Sequence, residues 1–351
     1  KDGQRLYDVM LDSFEPGFTM EKLDEFFNML KRHIVPLLKQ VMESSVRIQD
    51  DFLDGDYSEE KQWQLAEYLA KYVGFDFSKG VLAVSAHPFT TNLHNRDVRI
   101  TTHYKSRVDS SAFSVIHESG HAIYEFGIDD RLSQTPAGQG TSMGMHESQS
   151  RFFENIIGRS RAFCSVLLPW LKEHFPEQLV DVTEEQFYRM VNRSQPSLIR
   201  TEADELTYCL HIMVRYELEK QMFAGTITAH DLPAAWNRLY KEYLGMDVPS
   251  DREGVLQDSH WANGNIGYFP SYAIGSAYGA QYLLEMQKDL DVEAAVRSGK
   301  LTAINRWLEE KIWKYGCMKD PVALFESVCG SFRPEEYVAY LGKKFTEIYE
   351  L

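Results

Sequence analysis

Apolar residues recur at intervals of three and four along most of this chain and at intervals of two in one short stretch. That contrast limits the fold more than any other feature. Between Met20 and Ile48, Leu23, Phe26, Phe27, Leu30, Ile34, Leu37, Leu38 and Val41 mark one face of a long helix, and Pro36 predicts a kink in it. Ser58 to Val73 repeats the pattern more weakly. The helical period returns at 110–127, 145–163, 183–192, 199–223, 231–244 and 272–287, followed by shorter runs to Leu351. In between, Val81 to Phe89 is apolar and β-branched. Asp97 to Tyr104 alternates Val98, Ile100, Thr102 and Tyr104 with Asp97, Arg99, Thr101 and His103. With the polar Thr91 to Arg96 between them, these runs predict an antiparallel hairpin. The expectation is a mainly α fold with one small antiparallel sheet, in a single domain over 1–351 with two lobes around a cleft.

Composition narrows the function classes. The 351 residues are 44% hydrophobic, enough for a substantial core. A net charge of -15 excludes nucleic acid as partner, because that binding draws on Lys and Arg neutralising phosphates. No run approaches the roughly 18 apolar residues of a membrane span, and nothing near the start reads as a secretory signal. A cytoplasmic protein with no membrane partner is expected. Cys164, Cys209, Cys317 and Cys329 are widely separated, which fits a reducing compartment and packing roles rather than a zinc ribbon or dithiol.

The chemistry concentrates in His117-Glu118-Ser119-Gly120-His121, an HExxH motif. Phe113, Ile116, Ile123 and Phe126 give it helical apolar spacing on both sides, and Gly127 follows as a stop. At i and i+4 both imidazoles leave one helix face and reach a Zn²⁺ at about 2.0–2.1 Å. Glu118 then stands beside the ion rather than on it, placed to take a proton from attacking water and return it to a leaving amine.

A catalytic zinc takes three protein ligands and keeps one place open. After the Gly- and Pro-bearing loop 129–142, Glu147 is the next acidic donor, at the start of a helix. Glu154, seven residues on and on the same face, is the rival ligand, and Glu147 alternatively serves as an acid near a helix N-terminus.

Six segments in order resemble the carboxypeptidase Taq family of zinc metallocarboxypeptidases. They are His87-Pro88-Phe89, the DxRxT run Asp97-Val98-Arg99-Ile100-Thr101, the HExxH motif, and His146-Glu147-Ser148-Gln149. Next come Ile199-Arg200-Thr201-Glu202-Ala203-Asp204, matching IRxxAD, and Gly254-Val255-Leu256-Gln257-Asp258-Ser259-His260-Trp261, matching GxxQDxHW. The resemblance implies Glu147 as third ligand, with Glu154 left to steady a ligand imidazole. It implies removal of single C-terminal residues from peptides, broad side-chain acceptance, a helical body with a deep groove, and a homodimer. Against the family's length of about 500 residues, roughly the N-terminal third is expected to be absent here. The alternatives are an oligopeptidase or dipeptidyl carboxypeptidase of the same superfamily, or an inactive peptide-binding core. Co²⁺ or Mn²⁺ are expected substitutes for Zn²⁺.

An exopeptidase must recognise a free α-carboxylate, which a guanidinium does best. Arg200 and then Arg99 are the candidates, with structural alternatives in a same-face pairing of Arg200 with Asp204 and a cross-strand role for Arg99. His260 and Tyr268 resemble the His and downstream Tyr with which related zinc peptidases stabilise an oxyanion, and Tyr272 has similar spacing. His87, Gln257 and Tyr272 are further substrate-side candidates, and Asp258 is a supporting residue. The strand Asp97 to Tyr104 is expected to offer its edge to an extended peptide. Trp307 and Trp313 read as core.

Overall fold

A computed structural model describes residue 3 and residues 5–351. Its helices are α1 (Leu6–Asp12), α2 (Met20–Glu43), α3 (Glu59–Val73), α4 (Val108–Phe126), α5 (Met143–Arg151), α6 (Arg161–His174), α7 (Pro176–Leu179) and α8 (Glu184–Val191). They continue as α9 (Tyr208–Phe223), α10 (Leu232–Leu244), α11 (Pro270–Asp289), α12 (Val292–Arg297), α13 (Thr302–Lys311), α14 (Pro321–Cys329) and α15 (Pro334–Tyr349). The fold is mainly α, as the periodicity predicts. The helix starts obey capping chemistry: Ser142, Ser160 and Thr183 each accept a hydrogen bond from the amide three residues on, and Thr183 with Gln186 closes a reciprocal box. Pro36 lies inside α2, which runs on to Glu43 and stops short of Ile48.

The sheet corrects the predicted hairpin. β1 (Gly80–Val84), β2 (Thr90–His94) and β3 (Asp97–Thr102) lie in the order β1-β3-β2. β1 runs parallel to β3 with Val81 opposite Arg99, whereas β2 runs antiparallel to β3 with Thr91 opposite Arg99. The polar stretch assigned to the turn is itself a strand, and Asn95-Arg96 makes the turn. Pro88, with no N–H to give to a ladder, separates β1 from β2. β3 therefore has both edges paired, and the free edge on the α4 side belongs to β2.

Two further helix boundaries differ from the periodic reading. The run 145–163 is α5, then a π-helical turn Phe152–Ile157, then the start of α6. The run 199–223 holds only a 3₁₀ turn at Arg200–Glu202 before α9 begins at Tyr208. At that entry the Asp204 carboxylate accepts from the Leu206 and Thr207 amides.

Buried apolar side chains from every part of the fold form one continuous cluster, which includes Trp307 and Trp313. Cys164, Cys209 and Cys329 are buried, and Cys317 is exposed. No helix among the described residues is long and apolar enough to cross a membrane. At the centre α5 lies between α4 and α11, and two glycines set its distance from each. A Cβ on Gly120 would come 2.8 Å from the Ser150 Cα, and one on Gly275 would come 2.7 Å from the Glu147 Cβ. Only glycine permits these approaches, which bring α5 against the HExxH helix.

Candidate active site

His117 and His121 project from one face of α4 with ring centroids 4.9 Å apart. Glu147 comes from the neighbouring α5, its Oε2 lying 3.8 Å from His117 Nε2 and 3.5 Å from His121 Nε2. The three ligand atoms lie within 4.8 Å of one another. Two imidazole nitrogens and one carboxylate oxygen, all turned inward, fit a divalent cation of the zinc type.

The surroundings fix which atoms face the centre. His117 Nδ1 donates to Glu154 Oε2 at 2.8 Å, which leaves its Nε2 lone pair directed at the site. His121 Nδ1 lies 2.7 Å from His146 Nδ1, and His146 Nε2 lies 2.7 Å from Glu125 Oε1. One ligand is thus steadied by a carboxylate directly and the other through a second imidazole. Burial favours a neutral Glu147, but the adjacent imidazoles and Arg151 outweigh it and hold the carboxyl well below its ordinary range. Glu154 is likewise drawn down, to about 2, by Arg151 and His117 against its burial.

Glu118 is buried on the sheet-facing side of the same helix. Burial raises its carboxyl above the usual range, against the pull of His117 and a hydrogen bond from the Thr90 hydroxyl. It opens on a cleft of about 410 Å³ that also exposes Phe89 just before β2, Thr90 and Asn92 of β2, His117, His121, Glu147, Tyr268 and Tyr272.

Tyr268 and Tyr272 form the wall opposite α4, with His260 behind them. The His260 and Tyr268 rings are 5.2 Å apart, and His260 Nε2 lies 3.1 Å from the Tyr272 hydroxyl. Burial, with Arg200 and Arg215 nearby, pushes His260 down to about 4, so it is neutral at neutral pH. Arg200 does not pair with Asp204. Its Nε and Nη2 donate to Asp258 Oδ1 at 2.9 and 2.7 Å, its Nη1 donates to the Tyr208 hydroxyl at 3.0 Å, and its guanidinium lies 4.8 Å from the Tyr272 ring centre. Asp258 also accepts from the fully buried Arg215, at 2.7 Å. Gln257 accepts from the Arg200 amide and Arg215 and donates to the Leu198 carbonyl, all at 2.8–2.9 Å. Arg99 is exposed and donates to Asp97 on its own strand rather than across the sheet, and His87 is exposed; neither lines the cleft.

Sequence reasoning passed over Thr90, which falls between the predicted strand and the polar stretch, over Asn92, which lies in that stretch, and over Arg151, Tyr208, Arg215 and Glu125. His146 stood inside a quoted segment, where the HE pair beginning a helix was its available signal. Arg151 has only its spacing of four residues from Glu147 as a local signal, and the others carry none, because their partners in the site lie on other elements of the fold.

Comparison with known proteins agrees with this geometry. A family model described as carboxypeptidase Taq (M32) metallopeptidase matches residues 1–345. Carboxypeptidase 1 of Bacillus subtilis is 44% identical over 98% of this chain and 70% of its own length. Thermostable carboxypeptidase 1 of Thermus thermophilus is 40% identical over 98% of this chain and 68% of its own. The crystal structure of the M32 carboxypeptidase from Deinococcus radiodurans superposes with a TM-score of 0.96 at 39% identity, covering 98% of this chain and 70% of that one. These relatives are longer, but the expectation of a missing N-terminal third is not borne out by the comparisons. Sequence, fold and the His117, His121 and Glu147 cluster agree, and the chain belongs to the carboxypeptidase Taq (M32) family of metallopeptidases.

Proposed function

We propose that the chain is a zinc-dependent carboxypeptidase that shortens peptides one residue at a time from a free C-terminus. The observation that carries this is the convergence of His117, His121 and Glu147 on one point, with the buried Glu118 opening on the same cleft. The nitrogen-rich donor set favours Zn²⁺, with Co²⁺ and Mn²⁺ as substitutes. A divalent cation held there supplies an electrophile for the scissile carbonyl and makes water a nucleophile near neutral pH.

Glu118 takes the proton from the attacking water and returns it to the departing amine, a task its raised affinity for protons suits. The Tyr268 hydroxyl, with His260 behind it, is assigned to the developing oxyanion. Arg200 is assigned to the substrate's α-carboxylate: Asp258 and Tyr208 take three of its five N–H bonds and leave two. Gln257, Asp258 and Tyr272 hold Arg200 and His260 in place. The peptide lies extended along β2, whose Thr90 and Asn92 face the cleft. Arg99 and His87 are left without an assigned contact. Broad side-chain acceptance, a cytoplasmic location and a homodimer complete the proposal, the location supported by four unbridged thiols.

The test is a pair of peptides identical except for a free or amidated C-terminus, followed by mass spectrometry. Loss of successive single residues from the free acid alone supports the proposal. Equal cleavage of the amide moves the chain to the oligopeptidase reading.

A further inference from the structure

One side chain without a part in the chemistry above touches both a carboxylate of the metal-binding cluster and the carboxylate that orients His117. Arg151 follows Glu147 by four residues on α5, and its Nε donates to Glu147 Oε1 at 2.8 Å. Its Nη1 donates to Glu154 Oε2 at 3.1 Å, the same oxygen that receives His117 Nδ1. The guanidinium lies 4.0 Å from the centre of the Tyr208 ring, and the side chain is only 13% exposed. Arg159 stands behind Glu154, 3.6 Å from its other oxygen.

The two oxygens of Glu147 consequently face different partners: Oε1 is engaged by Arg151, and Oε2 faces His117 Nε2 and His121 Nε2. This division matters because a carboxylate can offer a cation one oxygen or two. Two imidazoles and one oxygen leave a tetrahedral ion one place for water or a carbonyl, whereas a second oxygen would fill that place. A guanidinium suits the task, since its rigid fork and permanent charge hold both carboxylates without competing for the cation.

We propose that Arg151 is a positioning residue that confines Glu147 to one donor atom, Oε2, and so keeps a coordination place open for the reaction. The inference rests on the metal-binding reading of His117, His121 and Glu147. Glu154 is part of the same device, because the arginine that holds Glu147 also holds the carboxylate that orients His117. The spacing explains the arrangement: one α-helical turn joins Glu147 to Arg151, and the π-helical turn beginning at Phe152 carries Glu154 round to meet both Arg151 and His117.

The experiment compares wild type, Arg151→Met and Arg151→Lys as full chains loaded with Co²⁺, reading metal stoichiometry, the visible spectrum, kcat and KM. Arg151→Met is expected to keep one ion per chain, to show the weaker absorption of a higher coordination number, and to lose about 10–100-fold in kcat with KM little changed. Arg151→Lys, which keeps one donor for Oε1, is expected to restore much of the wild-type spectrum. A wild-type spectrum in Arg151→Met overturns the inference. Should Arg151→Met fail to fold, as judged by a melt of the metal-free protein, a crystal structure of the zinc-loaded wild type decides. Glu147 Oε2 alone within bonding distance of the ion, about 2.0–2.2 Å, supports the inference, and both of its oxygens at that distance overturn it. Absence of stoichiometric metal from the wild type would instead sink the metal-binding reading itself.

Discussion

The Thr90 hydroxyl donates to Glu118 Oε2, so a residue of the edge strand β2 holds the carboxylate that precedes the HExxH serine and glycine. The same hydroxyl lies 3.2 Å from the Glu118 carbonyl oxygen, which ties strand to helix beside the carboxylate we propose as the base. Removing that carboxylate without changing its shape should separate chemistry from metal binding. Glu118→Gln is expected to retain the metal and lose about 10²–10⁴ in kcat, the usual contribution of a positioned proton acceptor. Elemental analysis beside steady-state kinetics checks it, and loss of metal together with activity would contradict Glu118 as the base.

Tyr268 is held by rings on three sides, with Phe14 at 5.1 Å, His260 at 5.2 Å and Tyr272 at 5.3 Å between centroids. Its hydroxyl is the group the cleft wall contributes. Tyr268→Phe keeps the packing and removes only that donor, so kcat should fall by about 10²–10³ with KM nearly unchanged. A change confined to KM would assign Tyr268 to binding instead.

Gly120 carries a prediction about assembly of the site. Its missing Cβ would sit 2.8 Å from the Ser150 Cα and 3.0 Å from the Gln149 carbonyl oxygen, both backbone atoms of α5. Gly120→Ala must therefore move one helix against the other, at a cost of about 1–3 kcal/mol. Glu147 moves with α5, so weaker metal binding should accompany the lower melting temperature. A stable variant with undiminished metal affinity would show that the helix spacing is not critical.

Asp258 links stability to pH. Burial alone would raise its carboxyl, but Arg215 and Arg200 outweigh burial and hold it at about 2. The folded value lies below that of the unfolded chain, so the contribution is present above about pH 4 and lost as pH falls toward 2. It amounts to about 2 kcal/mol. Asp258→Asn should flatten that part of the urea stability profile relative to wild type. At neutral pH it should lower stability by about 3–5 kcal/mol, because two arginines lose their buried partner. An unchanged slope between pH 4 and 2 would refute the assignment.

His117 and His121 are legible from a local signal, an i, i+4 pair on a periodic helix, whereas spacing alone leaves Glu147 and Glu154 as rivals and the resemblance to the family selects Glu147. β2 is not legible, because Thr90 to His94 is half exposed and its strand character comes from pairing with β3 rather than from an apolar alternation. The same-face pairing with Asp204, the structural alternative for Arg200, assumes a continuous helix. Asp204 instead binds the amides entering α9, and Arg200 turns to Asp258, a contact across the fold that no local spacing encodes. Arg151 stands four residues from Glu147 and three from Glu154, a spacing that allows both ion pairs, but their bearing on His117 and His121 is evident only once α5 has been placed against α4.

The most direct test is to strip the chain of metal and titrate zinc back while following hydrolysis of a free-ended peptide, alongside His117→Ala and Glu147→Gln. The account predicts no activity in the stripped protein, a linear rise that ends at one ion per chain, and weakened zinc binding in both variants. Full activity after stripping, or wild-type zinc affinity in both variants, would contradict it.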